Sequence, residues 1–153
     1  MKDNVFFGVD HRAFHVKNEL IDFMREKGIN VKDFSNKDMD TEDDYVDIAI
    51  PVAEQVVSNG GRGILLCGSG AGMCIAANKV RGARAGLFVT EKQVADSVRD
   101  DDVNIACFGV DITDLEQIKK LIEKFLKERF LPTERFVRRI NKIKKYETTS
   151  FYK

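Results

Sequence analysis

The sequence lacks several features that would each point to a particular class of protein. It has no excess charge of either sign, with 25 Lys and Arg against 25 Asp and Glu, so no global field favours nucleic acid or a membrane surface. No apolar run approaches the roughly 18 residues that span a bilayer. The three cysteines, Cys67, Cys74 and Cys107, are an odd number and match no zinc-binding spacing. We therefore expect no nucleic-acid partner, no membrane partner, no metal and no disulfide framework.

No segment is set apart from the rest of the chain either. Residues 1–4 lead directly into a short apolar run without the flanks of a signal peptide, and we find no low-complexity stretch or long-period repeat. A chain of 153 residues is long enough to bury a core without metal or disulfide support. We expect a single domain over residues 1–153, located in the cytoplasm.

Short apolar or β-branched runs alternate with longer amphipathic segments five times. The predicted strands are 5–9, 30–34, 63–66, 83–89 and 104–108, and the predicted helices are 14–27, 45–58, 73–80, 91–98 after Thr90, 114–129 after Thr113, and 133–146. This alternation is typical of a Rossmann-like α/β fold with three layers, in which helices cover both faces of a doubly wound sheet of five parallel strands. The last predicted helix is an extended, very basic C-terminal helix.

Parallel sheets of this kind bind ligands beyond the carboxyl ends of their strands. Three parts of the sequence are predicted to meet at that edge. They are Asp10 with His11 after the first strand, residues 67–72 after the third strand, and residues 100–102 near the fifth strand. We expect these three parts to line one crevice.

A glycine-rich segment, Gly68-Ser69-Gly70-Ala71-Gly72, joins the third strand to a helix. Its glycines let the backbone turn sharply and leave amide N–H groups accessible. Together with the start of the following helix, these amides predict a cradle for a phosphate or an enolate oxygen. The segment lacks the Gly-Lys-Ser/Thr ending of a P-loop and the spacing of a dinucleotide fingerprint. The alternative is a tight strand–helix turn that binds nothing.

Cys67 occupies the last position of the third strand, directly before this loop. The neighbouring amides can stabilise a thiolate there, which would act as a nucleophile or as a base that removes a proton next to a carbonyl. The alternative is a buried, inert cysteine, and we expect that fate for Cys74 and Cys107.

Two further groups of polar residues have a functional and a purely structural interpretation. Asp10 and His11 place a carboxylate and an imidazole in the same crevice, or Asp10 simply caps the next helix beside a surface histidine. Arg135 and Arg139 lie four residues apart on the last helix, so both can reach one anion. The structural interpretation of these arginines is a solvated basic face.

Taken together, the motifs resemble the family of type B ribose-5-phosphate isomerases and galactose-6-phosphate isomerase subunits, over roughly residues 5–145. The markers are 8–11 (Gly-Val-Asp-His), Asp44 with Tyr45, the loop from Cys67 to Gly72, 75–80 (Ile-Ala-Ala-Asn-Lys-Val), Asn104, Phe108 with Gly109, and Arg135 with Arg139. The resemblance implies an aldose–ketose isomerase without a cofactor that moves a proton between C1 and C2 through a cis-enediolate. Ribose 5-phosphate is the favoured substrate.

The resemblance also implies a role for each site residue. Cys67 would be the base, since Met73 stands where another branch of the family has a glutamate. Ser69 would bind the reacting oxygens. The remaining expected substrate contacts are Asp10, His11, Tyr45, Gly68, Gly70, Ala71, Gly72, Asp101, Arg135 and Arg139. The family implies a homodimer or a dimer of dimers with shared active sites, whose last helix packs on the partner subunit and supplies the two arginines to the phosphate.

The sequence departs from the family pattern at four positions. Asp100 and Asp101 replace the histidine that assists ring opening and an asparagine that helps to hold the phosphate, so Asp100 is the candidate for ring opening. Asp111 replaces an arginine that meets the phosphate, and Phe136 replaces a histidine. The two aspartates at 101 and 111 would repel a dianion. The candidates to compensate are Arg81, Arg84, Arg99 and Arg138.

These departures leave three functions open. The first is isomerisation of ribose 5-phosphate. The second is isomerisation of another sugar phosphate, such as a tetrose or hexose phosphate, or of a less anionic sugar. The third is a non-catalytic subunit of a paired isomerase, because the residue that opens the ring is altered.

Overall fold

The computed structural model describes residues 4–150, which form five strands and six helices. The strands are β1 (Asn4–Val9), β2 (Asn30–Asp33), β3 (Arg62–Cys67), β4 (Ala85–Leu87) and β5 (Ile105–Gly109). The helices are α1 (Lys17–Glu26), α2 (Tyr45–Asn59), α3 (Ala71–Ala77), α4 (Glu91–Asp101), α5 (Leu115–Lys127) and α6 (Glu134–Ser150). Over this part of the chain, no helix combines the length and the apolar character needed to cross a membrane.

All five strands run parallel in one sheet, in the order β2-β1-β3-β5-β4. Each strand is followed by a helix that returns the chain to the opposite edge, as a parallel connection requires. The central strands are almost wholly buried, which explains why their sequences are nearly continuous apolar runs. The predicted α/β fold with five parallel strands is confirmed.

The sheet separates two apolar cores because successive residues of a strand point to opposite faces. Leu66 and Phe108 pack in the core beneath α1, α4 and α5. Leu65, Cys67 and Cys107 pack in the other core, beneath α2 and α3. This arrangement places Cys67 on the side of the sheet covered by α2 and α3.

Several predicted boundaries differ from those of the structure. A 3₁₀ turn, Phe14–Val16, precedes α1, so the helix begins three residues later than predicted. The prediction of Thr113 as the N-cap of α5 is wrong. The carboxylate of Asp114 accepts the Gln117 amide at 2.9 Å instead. Thr90 is confirmed as the N-cap of α4, where its hydroxyl accepts the Gln93 amide at 3.2 Å.

The strand β4 is shorter than the predicted 83–89. It is an edge strand that pairs only with β5, and the Arg84 amide before it donates to the Asn104 side chain at 2.7 Å instead of extending the ladder. Helix α3 begins at Ala71, two residues before the predicted start, so that Gly72 lies in its first turn. The last helix extends to Ser150, beyond the predicted end at 146.

Helix α6 packs on α4 through a narrow apolar stripe. Phe136 and Ile140 are buried, whereas Ile143 and Tyr146 further along the helix are 48% and 69% exposed. Much of this helix therefore has no cover from the rest of the described chain. The predicted packing of this helix on a partner subunit stays a prediction.

Replacement of Leu66 by Ala should destabilise the fold more than any surface change, because Leu66 is fully buried in the central strand. We expect a loss of about 2–5 kcal/mol in the free energy of unfolding, measured by urea denaturation. The matched control is Leu131→Ala, since Leu131 is 48% exposed, and we expect a change within about 0.5 kcal/mol. Equal losses in both variants would contradict the assignment of the core.

Candidate active site

Cys67 ends β3 at the carboxyl edge of the sheet, where its side chain is buried. The Gly70 amide donates to the Cys67 sulfur at 3.1 Å, across the first turn of the glycine loop. An amide donor directed at the sulfur stabilises negative charge on it. The loop amide that we expected to face a ligand oxygen therefore faces the thiol.

The glycine loop lies tightly against the end of β5. The register pairs Cys67 with Gly109, and a side-chain carbon at Gly109 would lie 2.5 Å from the Ser69 carbonyl oxygen. Gly70 has a φ of +79°, and a side-chain carbon there would lie 2.8 Å from the Phe108 carbonyl carbon. Both positions require glycine for steric reasons. The Ser69 hydroxyl accepts the Ala71 amide at 3.2 Å, within the loop.

Tyr45, the first residue of α2, lies against the same loop. A side-chain carbon at Gly72 would lie 2.8 Å from the Tyr45 Cζ, so the tyrosine ring packs directly on this glycine. Tyr45 as a whole is 39% exposed. The structure therefore brings Tyr45, Cys67 and the loop together, while Met73 is fully buried in the core.

Asp10 follows β1 and lies beside the end of β3, where its amide donates to the Leu66 carbonyl at 3.2 Å. Its carboxylate is buried and accepts the amides of Arg12 and Ala13 at 2.9 and 3.3 Å. Burial raises the pKa of Asp10, and these two amide hydrogen bonds oppose part of that rise. The alternative prediction, that Asp10 caps the next helix, is wrong: the N-cap of α1 is Val16, with no side-chain hydrogen bond, and Asp10 instead closes the turn between β1 and the 3₁₀ turn.

His11 is held by Asp43, a residue that the sequence analysis did not select. The Asp43 carboxylate accepts the His11 amide at 3.1 Å, lies 2.7 Å from the His11 Nδ1, and accepts the Asn36 side-chain amide at 3.1 Å. Asp43 is nearly buried, whereas the His11 ring is 31% exposed. The hydrogen bond to Asp43 raises the pKa of His11. Asp43 belongs to the acidic loop 36–44, whose charge was the available signal.

Asp10, His11 and Asp43 also form the one cluster of potential metal ligands found among residues 4–150. Their donor atoms all lie within 4.8 Å of one another. Two carboxylates and one imidazole suit a divalent cation. Each of the three groups is also engaged in the hydrogen bonds described above, and we assign no ion to this cluster.

Arg12 forms an ion pair with Asp111 across the mouth of the glycine loop, a contact that we did not predict from the sequence. The guanidinium Nη2 lies 2.5 Å from the Asp111 Oδ2. Two of the arginines that we expected to compensate are engaged elsewhere, because Arg84 pairs with Asp102 and Arg99 pairs with Asp96 and Asp100. Arg12 directly follows the Asp-His pair in the sequence, and that position was the available signal.

The prediction that residues 100–102 join Cys67 at the carboxyl edge is wrong within one chain. Asp100 and Asp101 end α4, and Asp102 caps it, just before the amino end of β5. A residue that precedes a parallel strand lies at the edge opposite the one where that strand ends. Asp100 also lies 2.7 Å from the Arg99 Nε, in an ion pair on α4.

Arg135 and Arg139 lie near that opposite edge as well. The Leu131 amide before α6 donates to the Arg99 carbonyl at 3.0 Å, and the Glu147 side chain at the far end accepts the Gly82 amide at 3.1 Å. Both anchor points precede the strands β5 and β4. The Arg135 guanidinium stacks on the Phe136 ring at 5.0 Å. The structure therefore divides the predicted site residues between the two edges of the sheet.

The other two cysteines interact with each other in the core beneath α2 and α3. Cys107 is fully buried in β5, and its hydrogen bond to Cys74, together with burial, raises the pKa of Cys107. The same hydrogen bond lowers the pKa of Cys74 to about 7. A thiolate at Cys107 would have no water around it, so burial favours the neutral thiol there. The Cys74 sulfur is also within 3.4 Å of the Ala85 carbonyl, which a thiol can satisfy as a donor.

Replacement of Asp43 by Asn should lower the pKa of His11 toward its usual value of about 6.5, because the hydrogen-bonded carboxylate is lost. The measurement is a proton NMR titration of the histidine signals. A raised pKa in the folded state means that the pair stabilises the fold below about pH 6.5 and loses that effect as the pH rises through the His11 pKa. The stability difference between the two proteins should therefore shrink with rising pH. The His15 signal serves as the reference, and an unchanged His11 curve would contradict the pairing.

Known proteins with a similar sequence and fold are sugar-phosphate isomerases. The sequence profile of the family described as Ribose/Galactose Isomerase matches residues 5–143. A probable ribose-5-phosphate isomerase B of Mycoplasma genitalium is 40% identical over 150 residues, which cover 96% of this chain and 97% of that protein. A D-erythrulose-4-phosphate isomerase of Pectobacterium atrosepticum is 31% identical over 128 residues, covering 83% and 84% of the two chains.

A solved structure gives the same result at the level of the fold. The ribose-5-phosphate isomerase B of Mycoplasma genitalium with bound ribulose-5-phosphate superimposes with a TM-score of 0.91 and 37% sequence identity, covering 97% of this chain and 99% of that one. Both the sequence and the fold thus match over nearly the whole length, and the matched range, residues 5–143, contains Cys67, the glycine loop and Asp10 with His11. The chain belongs to the ribose/galactose isomerase family of sugar-phosphate isomerases.

Proposed function

We propose that this chain interconverts an aldose phosphate and its ketose phosphate through a cis-enediolate, with ribose 5-phosphate and ribulose 5-phosphate as the favoured pair. The observation that carries the proposal is the position of Cys67. Its sulfur lies at the carboxyl edge of the sheet with an amide donor 3.1 Å away, beside the Asp10–His11 turn. A stabilised thiolate at that point is suited to remove a proton next to a carbonyl.

In the proposed reaction Cys67 removes the proton from C2 of the open-chain aldose, which leaves a cis-enediolate. The same sulfur returns the proton to C1, while a hydroxyl proton moves from O2 to O1, so the atoms balance without a cofactor. Ser69 lies two residues after Cys67 in the loop and is our candidate to hydrogen-bond the reacting oxygens. The amides of Gly72 and the start of α3 would hold the developing negative charge.

Ring opening needs a group that donates and accepts protons. His11 is the best candidate at this edge of the sheet, since Asp43 holds its Nδ1 and raises its pKa. Asp100 was the residue selected from the sequence, but it lies at the other edge of its own chain. Asp100 can act only if a second subunit presents it.

We also propose a homodimer or a dimer of dimers in which one chain's α6 completes the partner's site. Arg135, Arg139, Asp100 and Asp101 all lie near the edge opposite Cys67. The exposed second half of α6 is consistent with a subunit contact. A C2 axis would bring Arg135 and Arg139 of each chain to Cys67 of the other chain, so that both sites are completed in the same way.

Isomerisation of a tetrose phosphate is the second candidate. The aspartates at 101 and 111 are the observation that favours it, because a different fit of the phosphate group would tolerate their charge. Rates with ribose 5-phosphate and with a tetrose phosphate, each read by proton exchange at C2 in D₂O, separate the two candidates.

Replacement of Cys67 by Ala should lower the rate of ribose 5-phosphate isomerisation by at least about a hundredfold, the usual size of a general-base contribution. Formation of ribulose 5-phosphate is the measurement. The control is Cys74→Ala, which keeps Cys67 and its amide donor. Activity that survives in Cys67→Ala would contradict the proposed base. An inactive wild-type protein that gains activity only with a paralogous subunit would replace the proposal with the paired-subunit function.

Mixed dimers test the sharing of sites between subunits. Cys67→Ala and Arg139→Gln should each be nearly inactive alone. After unfolding and refolding together in equal amounts, they should recover about a quarter of the wild-type activity, because half of the dimers are mixed and each of these has one intact site. The control mixture is Cys67→Ala with Cys67→Ser. No recovery in the first mixture would contradict shared sites.

A further inference from the structure

The ion pair between Arg12 and Asp111 lies directly over the glycine loop. A side-chain carbon at Gly68 would lie 2.8 Å from the Asp111 Oδ2 and 3.3 Å from the Arg12 Nε. Gly68 is the residue that follows Cys67. The guanidinium therefore stands above the loop, one residue from the proposed base.

Both partners of the pair are held by their backbones. The Arg12 amide donates to the buried Asp10 carboxylate at 2.9 Å, which fixes the turn after β1. The Asp111 amide donates to the Gly68 carbonyl at 2.9 Å, which fixes the turn after β5 to the loop after β3. The position of the guanidinium is thus set by the turns that follow β1, β3 and β5.

The side chains themselves remain open to solvent, at 57% for Arg12 and 48% for Asp111. An ion pair this exposed is weak, so an incoming anion can displace the carboxylate. A guanidinium binds phosphate through two parallel N–H donors, in a geometry that suits it better than a lysine ammonium. Lys17 is not available to bind a phosphate, because its side chain is buried and its ammonium donates to the Asn36 carbonyl at 3.0 Å.

The position of the pair also suits the far end of a sugar phosphate. With C1 and C2 at the Cys67 sulfur, the phosphate of an open-chain sugar lies several bonds away along the crevice. The turns after β1 and β5 flank the end of β3 on both sides, and Arg12 and Asp111 from these turns lie against Gly68.

We propose that Arg12 binds the phosphate of the substrate and that Asp111 is its counterion in the empty site. The positive charge for the phosphate then comes from Arg12 in the turn after β1, because the turn after β5 carries the acidic Asp111. The inference rests on the proposed function for the identity of the ligand as a sugar phosphate. Binding of the phosphate group itself is tested without turnover.

The first test compares Arg12→Gln with Arg25→Gln. Arg25 lies in the last turn of α1 near Asn4 and Asn30, at the opposite edge of the sheet, and its replacement is the matched loss of one positive charge. We expect Arg12→Gln to weaken binding of inorganic phosphate, measured by isothermal titration, by about tenfold to a hundredfold, the usual effect of a charge-assisted hydrogen bond. The KM for ribose 5-phosphate should rise by a similar factor, while C2 exchange with unphosphorylated ribose stays unchanged.

The second test acts on the counterion. Asp111→Asn should tighten phosphate binding, because it removes both a competitor for Arg12 and a like charge near the dianion. The double exchange Arg12→Asp with Asp111→Arg returns a guanidinium to the same place. It should recover most of the affinity that Arg12→Asp alone loses, at unchanged thermal stability.

The outcomes separate this inference from the proposed function. Phosphate affinity that is equal in Arg12→Gln, Arg25→Gln and the wild type overturns the role of Arg12, whatever the activity. Affinity that depends on Arg12 in a protein without isomerase activity upholds the anion site and overturns the proposed reaction. A double exchange that binds no better than Arg12→Asp also overturns the role, because the position of the charge would then not matter.

Discussion

The pairing of β3 with β5 is the constraint on which the candidate site depends. It sets Cys67 opposite Gly109, and the missing side chain at Gly109 lets the Ser69 backbone approach to van der Waals contact. The loop can then turn back through Gly70 in the left-handed region and direct an amide at the Cys67 sulfur. The same contact ties the Asp111 turn to Gly68. A shift of one residue in this register would turn Cys67 to the other face of the sheet.

The two edges of the sheet carry different chemistry. The carboxyl edge holds the thiol, a buried carboxylate and a histidine, together with one exposed ion pair. The opposite edge holds the acidic end of α4 and the arginines of α6. The end of α4 leads into the amino end of β5, whereas Cys67 lies at the carboxyl end of β3. The two groups of residues are therefore separated by the length of the strands and cannot combine within one chain. This separation gives a physical reason for the assembly that we propose, since a second subunit is the simplest way to unite them.

Charges at the carboxyl edge are balanced locally. Asp43 neutralises a protonated His11, backbone amides stabilise the buried Asp10, and Arg12 pairs with Asp111. An aspartate after β5 is therefore not simply a repulsive residue in an anion site. Its effect depends on an arginine ninety-nine positions earlier in the sequence. The position of Arg12 after the Asp10-His11 pair was a signal for Arg12 alone, and nothing local in the sequence links it to Asp111.

The sequence alone determined the fold class and selected Cys67 with its loop as the candidate reaction centre. Alternating apolar runs predicted the strands because a buried parallel strand must be apolar on both faces, and the glycine loop after Cys67 predicted the turn because only glycine fits it. Tertiary structure alone decided the contacts of Asp43 and Arg12 and the edge at which Asp100, Arg135 and Arg139 lie. Those outcomes depend on strand order and on the direction of α4 and α6, which join residues far apart in the chain, and local pattern contains no information about such long-range pairs.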